Sequence, residues 1–242
     1  MIVRLVGSEM CIRDSFEIYL AALKFGLVFN PLNPSYSEKE LDYFIGDFSP
    51  DLVLVSPEIN SKIKKIISNR SKVIEINNFI YKKVSLDFAV APVRAQDLAV
   101  LLYSSGTTGL PKPIGLSHEN LKTNAVALSS EWGLRDSDVL LHTLPMYHIH
   151  GLLISLNAVL LSGASLIATA KFSVEEVMNY MERATVFMGV PTYYHRILNS
   201  PRLKKIDYSK IRLFISGSAP LSEAILAQFK GFTGHTILER LS

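Results

Sequence analysis

The chain has 242 residues, 48% of them hydrophobic and 19% charged, and a formal net charge of +3. That is ordinary globular composition, enough for one large domain or two small ones, and it excludes a disordered or fibrous chain. The charge is small and scattered, with no Lys/Arg block of the kind that binds nucleic acid, and the lone Cys11 rules out an internal disulfide or a cysteine metal cluster.

Residues 1–15 show no clear helical or strand period and resemble a translated sequencing adaptor, so they are expected to be a foreign or mobile tail outside the fold. They show no sustained apolar core of a secretory signal. The regular pattern starts at Phe16. Residues 16–28 read as a buried helix, and Asn30-Pro-Leu-Asn-Pro34 as a turn cluster. Ser37-Glu-Lys-Glu40 is a capping box opening an amphipathic helix to about Phe48. Short apolar strands are predicted at 52–55, 73–76, 98–103, 139–143, 164–168, 185–188 and 211–216, with a further strand near Ile237. Helices are predicted at 61–67, 118–131, 149–161, 173–183, 191–199 and 221–230. This alternation predicts an α/β fold with a largely parallel sheet covered by helices on both faces. Residues 151–170 are uncharged and long enough to span a membrane, but Asn157 and Ser162-Gly163 break the run, so helix, turn and strand fit it better.

Four segments carry chemistry. The first is Tyr103-Ser-Ser-Gly-Thr-Thr-Gly-Leu-Pro-Lys112, which follows an apolar strand. Gly106 and Gly109 permit tight backbone conformations in which successive N–H groups turn toward one anion. Ser104, Ser105, Thr107 and Thr108 add hydroxyl donors, and Lys112 a mobile cation. The spacing is not that of a Walker A loop, yet the composition suits a polyphosphate.

The second segment is Leu144-Pro-Met-Tyr-His-Ile-His-Gly151. His148 and His150 lack a third ligand nearby in sequence, so no metal site is assigned. The third is Phe214-Ile-Ser-Gly-Ser-Ala-Pro-Leu221, a strand-to-helix turn in which Ser218 or Pro220 is expected to start the helix. The small residues Ser216, Gly217, Ser218, Ala219 and Pro220 would also let a flat ring lie against the backbone. The fourth is Met188-Gly-Val-Pro-Thr-Tyr-Tyr-His-Arg196. On its residues alone, Arg196 reads as a surface arginine on an amphipathic helix.

In this order the motifs resemble those of the adenylate-forming enzymes: acyl-CoA synthetases, luciferases and peptide-synthetase adenylation domains. The likeness covers about residues 16–240. One departure is Pro113, where that family usually has glycine. The resemblance implies part of the large N-terminal AMP-binding domain over 16–242, with mostly parallel sheets. It implies that Ser104–Gly109 and Lys112 hold phosphates, that Ser216–Pro220 flank adenine and the acyl group, and that His148 lines the acyl pocket with His150 as its neighbour. Residues 188–196, with Phe172–Arg183 and Ser200-Pro-Arg-Leu203, look like the malonyl-CoA synthetase branch, in which the arginine matching Arg196 pairs with the distal carboxylate of malonate. The implied substrates are ATP, a carboxylic acid and coenzyme A, with Mg²⁺, in the cytoplasm or an organellar matrix. Alternatives are a ligase for a fatty or aryl acid, or a non-catalytic nucleotide-binding fragment. The family's C-terminal domain, with its adenylation lysine, is expected to be missing, so no catalytic residue is assigned and these residues alone are expected to be inactive.

Overall fold

The structure is a computed structural model that describes residues 4–8, 12–67, 71–76, 89–104 and 110–240. It divides into two compact units, residues 1–121 and 122–242.

The first unit is built on a six-stranded sheet. Its elements are β1 (Arg4–Ser8), α1 (Ile12–Lys24), β2 (Val28–Pro31), α2 (Glu38–Phe48), β3 (Leu52–Val55), α3 (Pro57–Ile66), β4 (Lys72–Glu75), β5 (Leu98–Tyr103) and β6 (Pro113–Ser117). The strand order is β4-β3-β1-β2-β5-β6, and only the β5–β6 pair is antiparallel. The Ser37 box forms as the sequence dictates: the Ser37 amide donates to the Glu40 carboxylate at 2.7 Å and the Glu40 amide to the Ser37 hydroxyl at 3.3 Å. This places Leu41, Phe44, Ile45 and Phe48 against Val53 and Val55 of the sheet.

Two expectations are corrected here. The segment 1–15 was expected to lie outside the fold, but Arg4–Ser8 pairs with β2 on one side and β3 on the other. Ser15 is buried in α1. A strand held by main-chain bonds on both edges needs no strong alternation in its sequence, so pattern alone missed it. Asn30 and Pro31 were expected to open a turn. They instead end β2, which is buried throughout.

The second unit contains α4 (His118–Glu131, beginning at the boundary), β7 (Val139–His142), a π-helical segment (His150–Leu156), α5 (Asn157–Ser162), β8 (Ser165–Ala168), α6 (Val174–Tyr180), β9 (Val186–Gly189), α7 (Pro191–Leu198), β10 (Leu213–Gly217), α8 (Glu223–Thr233) and β11 (Ile237–Arg240). Its five-stranded sheet has the order β11-β10-β9-β7-β8 and is parallel throughout. Leu140, Val186, Met188 and Ile215 face one core with Leu128, Trp132, Ile154 and Ala158. Leu141, Phe187, Phe214 and Ile237 face the other, with Val177, Tyr194 and Phe229. Both faces are covered, as the apolar strands require. Among the described residues, no helix is long and apolar enough to cross a membrane.

A polar lock ties the amino ends of three strands together. The Arg212 guanidinium donates to Asp138 and to the carbonyls of Trp132 and Gly133, at 2.8 Å through Nε and 3.0 Å for each carbonyl. The Thr185 hydroxyl also donates to Asp138, at 2.7 Å, and accepts from the Val139 amide. Asp138 is 3% exposed. Burial pushes its carboxyl up, but the bonds from Arg212, Thr185 and the Arg135 amide outweigh that and hold it at about 2.

Arg212→Ala leaves a buried carboxylate and two helix-end carbonyls without donors, so it is expected to cost about 2–3 kcal/mol in urea unfolding. Because the folded pKa of Asp138 lies below its unfolded value, its contribution is fully present above about pH 4 and is lost as pH falls toward 2. Asp138→Asn is expected to flatten that part of the stability curve.

Candidate functional site

In the second unit, β7 connects outward to β8 while β9, β10 and β11 extend the sheet the other way. The strand order therefore reverses between β7 and β9, and ligands of open α/β sheets bind beyond the carboxyl ends of strands at such a point. All three motifs of this unit lie there. Residues 143–149 follow β7, Pro191 starts α7 directly after β9, and Ser218–Ser222 follow β10.

The loop after β7 is compact for a steric reason. A Cβ at Gly151 would overlap the Pro145 carbonyl oxygen. Only glycine lets the chain fold back so closely, and the seven residues His150–Leu156, Gly151 among them, are π-helical rather than α-helical as the periodicity predicts. A π-turn carries an extra residue per hydrogen bond and is found mostly at functional sites. The Ser155 hydroxyl satisfies the His150 carbonyl at 2.8 Å.

That fold separates the two histidines. His148 is exposed, with its ring 4.6 Å from that of Tyr147. His150 is buried, at 5% exposure, and carries the contact with the β10 turn. A Cβ at Gly217 would lie 2.7 Å from the His150 ring, and Ser218 Oγ is 3.4 Å from its Nδ1. Sequence reasoning favoured His148 as the pocket residue; the structure gives His150 the link to Ser216–Ser218. The missed signal was Gly217, which makes room for the ring.

Ser216 is buried and its hydroxyl has no partner among the described residues, while Ser218, Ala219 and Pro220 are exposed. Neither Ser218 nor Pro220 starts the following helix. Ser222 does, its hydroxyl accepting from the Ile225 amide. Ser218 instead adopts the left-handed conformation, φ 68°, that non-glycine residues seldom hold outside functional turns.

Beneath the loop, His142 is fully buried with no ring bond of good geometry among the described residues. Burial lowers it to about 4, the neighbouring His150 adds to this, and the Leu144 backbone opposes it weakly. His150 is also lowered to about 4, first by burial and then by Arg240. Both rings are therefore neutral at physiological pH. Arg240 packs its guanidinium 5.8 Å from the Trp132 ring.

Arg196 lies one helical turn past Tyr193 on α7. It is exposed, 4.9 Å from the centroid of Phe172, and makes no ion pair among the described residues. Tyr193 lies within electrostatic reach of both Tyr147 and Arg196. The outer end of the β7 loop thus lies near Tyr193, and its inner end meets Gly217 and Ser218. Tyr193 lies in the fourth motif but had no role assigned there, and Phe172 and His142 lie outside all four motifs.

In the first unit, β5 and β6 form an antiparallel pair, joined by the loop that starts at Ser104 after the carboxyl end of β5. Ser104 and Lys112 close its mouth: the Ser104 amide donates to the Lys112 carbonyl at 3.0 Å. Tyr43 donates to the Pro111 carbonyl at 2.9 Å and Tyr103 to Asp47 at 2.7 Å. Lys112 is exposed. Pro113, which departs from the family pattern, pairs with Tyr103 as the first residue of β6. Ser105, Gly106, Thr107, Thr108 and Gly109 lie outside the described residues.

This arrangement is that of an AMP-binding enzyme. The AMP-binding enzyme pattern matches residues 12–240, and the chain belongs to that family. It is 32% identical to the human mitochondrial malonate–CoA ligase ACSF3, over 96% of this chain and 44% of that protein. Among solved structures, it matches apo MatB from Rhodopseudomonas palustris at 38% identity with a TM-score of 0.93, covering 99% of this chain and 49% of that one. A malonyl-CoA ligase in a ternary product complex with methylmalonyl-CoA and AMP matches at 30% identity and a TM-score of 0.83. The chain thus spans about half the length of the relatives it matches.

Histidine NMR titration is expected to find midpoints of about 4 for His142 and His150. Their folded pKa values lie below the unfolded value near 6.5, so the unfolded chain takes up protons first. Stability is therefore expected to fall as pH drops from about 6.5 to 4. His150→Gln should reduce that slope, and an unchanged slope would contradict the burial of this ring.

Proposed function

We propose that the complete protein carrying this chain is an acid–thiol ligase that activates malonate, or a close dicarboxylate, and transfers it to coenzyme A. A carboxylate oxygen attacks the α-phosphorus of ATP, the bond to the bridging oxygen breaks, and pyrophosphate leaves. The thiol sulfur of coenzyme A then attacks the acyl carbon of the mixed anhydride, and AMP leaves. Charge redistributes over phosphoryl oxygens in the first step, so preorganised donors contribute most. Ser104, Lys112 and the residues 105–109 between them are proposed to hold the β- and γ-phosphates. Ser216–Pro220 would flank adenine and the acyl group, and His148 and Arg196 would line the acyl side. Among the described residues no three His, Cys, Asp or Glu side chains gather as a metal site.

The observation that carries the choice of acid is Arg196, an arginine beside the Phe172 ring with no acidic partner among the described residues. Its planar fork suits a second carboxylate, bound through two parallel hydrogen bonds. The names of the human relative and of the malonyl-CoA ligase solved with methylmalonyl-CoA and AMP support the same acid. The mitochondrial location in the human relative's name is compatible with either the cytoplasm or an organellar matrix here.

Arg196→Ala is expected to lower kcat/KM for malonate at least about tenfold, or ~1.4 kcal/mol, in a ligase of full length. The guanidinium is exposed, so the larger loss of a fully buried pair is not expected. Butyrate, with one carboxylate, should lose far less. Thioester formation with both acids measures this, and an equal loss for the two would remove the basis for a dicarboxylate.

A further inference from the structure

Arg196 has a support that the family reading does not supply. Phe172, in the loop between β8 and α6, is half-buried and stacks on Tyr193 with ring centroids 3.7 Å apart and planes 11° from parallel. The Arg196 guanidinium carbon lies 4.9 Å from the centroid of the same Phe172 ring. Tyr193 and Arg196 are one turn apart on α7, so a ring from a different loop is shared by two side chains of one helix. Tyr193 is in turn tethered to the end of β7, its hydroxyl donating to the Thr143 carbonyl at 3.4 Å. Burial and the neighbouring Tyr147 raise the Tyr193 phenol, with Arg196 opposing, so it keeps the proton it donates.

We propose that Phe172, seated on Tyr193, is a positioning residue that holds the Arg196 guanidinium by its face and leaves its N–H edge free for the distal carboxylate of the acid. This rests on the acyl-site reading given above. A guanidinium uses face and edge separately: its face stacks on an aromatic ring while its in-plane donors bind a carboxylate. An exposed arginine otherwise keeps much rotamer freedom, which it must lose when the substrate binds. Holding it in place beforehand removes part of that cost. A lysine would gain nothing equivalent, because an ammonium has no flat face and no fork. The stack therefore accounts for arginine rather than lysine at residue 196. It also assigns acid selection to the 169–173 loop, which none of the four motifs includes.

Two measurements test this separately. The first uses the 242-residue chain itself. The Arg196 Nε–Hε resonance, identified by its absence in Arg196→Lys, should be shifted upfield by the Phe172 ring current. Phe172→Leu should return it to the ordinary arginine range, and Phe172→Trp should keep it shifted. A resonance unmoved by Phe172→Leu would overturn the stack. The second uses a full-length ligase. Phe172→Leu should raise KM for malonate about fivefold to tenfold, the scale of a partly desolvated cation–π contact. The kcat and the KM for ATP should stay within about twofold, and Phe172→Trp should restore the malonate KM. Equal changes for malonate, butyrate and ATP, or no rescue by Trp, would mean that Phe172 only supports the fold. If Arg196→Ala leaves the malonate KM unchanged while the NMR shift behaves as described, the acyl-site reading fails and the stack survives as structure.

Discussion

A side chain at residue 151 would collide with the Pro145 carbonyl, and this lack of room shapes everything around the candidate site. The loop after β7 folds back on itself there, the next segment opens as a π-helix, and the two histidines of one motif lie in different surroundings, His148 exposed and His150 buried. His150 is driven into the protein against Gly217, where a second missing Cβ accommodates it. The β7 loop and the β10 turn are therefore joined by steric complementarity between a ring and a glycine, reinforced by the longer contact to Ser218. Such packing has discrete arrangements rather than a continuum, because a close-packed interior does not deform smoothly.

The two edges of the second unit's sheet divide the work. At the amino ends, Arg212, Asp138 and Thr185 form a saturated network in which the charges have partners and the helix-end carbonyls are capped. At the carboxyl ends the polar groups are left open. Ser216 Oγ, Thr143 Oγ1, His150 Nε2 and both nitrogens of His142 are buried without partners among the described residues. Buried polar atoms are nearly always bonded in proteins, so a concentration of exceptions marks the edge at which a ligand or water belongs. The contrast is the physical reason to seek function at one edge and stability at the other.

Much of this was legible in the sequence, and the failures have identifiable causes. The apolar run 98–103 and the helix 118–131 appear at the residues that periodicity assigned. Strands on apolar runs separated by amphipathic helices made a parallel sheet the only economical arrangement. Residues 4–8 failed because main-chain pairing on both sides can recruit a sequence with no period of its own. Asn30-Pro31 failed because turn residues are tolerated at a strand's end. The start of α8 moved to Ser222 because Ser218 takes a left-handed conformation, which a helix start cannot use. At the site, the motifs marked loops that gather at the carboxyl edge of the second sheet, but not which of their side chains touch one another. Choosing between His148 and His150 depended on a contact 67 residues away in sequence, at Gly217, and tertiary contacts of that span leave no local signal. Phe172 opened a stretch that resembled one branch of the family, but its contact with α7 left no local signal, because only the fold brings the two together.

Arg196 on α7, packed against the Phe172 ring, is proposed to select an acid with a second carboxylate. The most direct measurement is a crystal structure of a full-length ligase carrying this chain, bound to a non-hydrolysable malonyl-adenylate analogue. The distal carboxylate is expected in a two-point hydrogen bond with the Arg196 guanidinium, with Phe172 still against the guanidinium face. A distal carboxylate bound elsewhere, with Arg196 left in solvent, would contradict it.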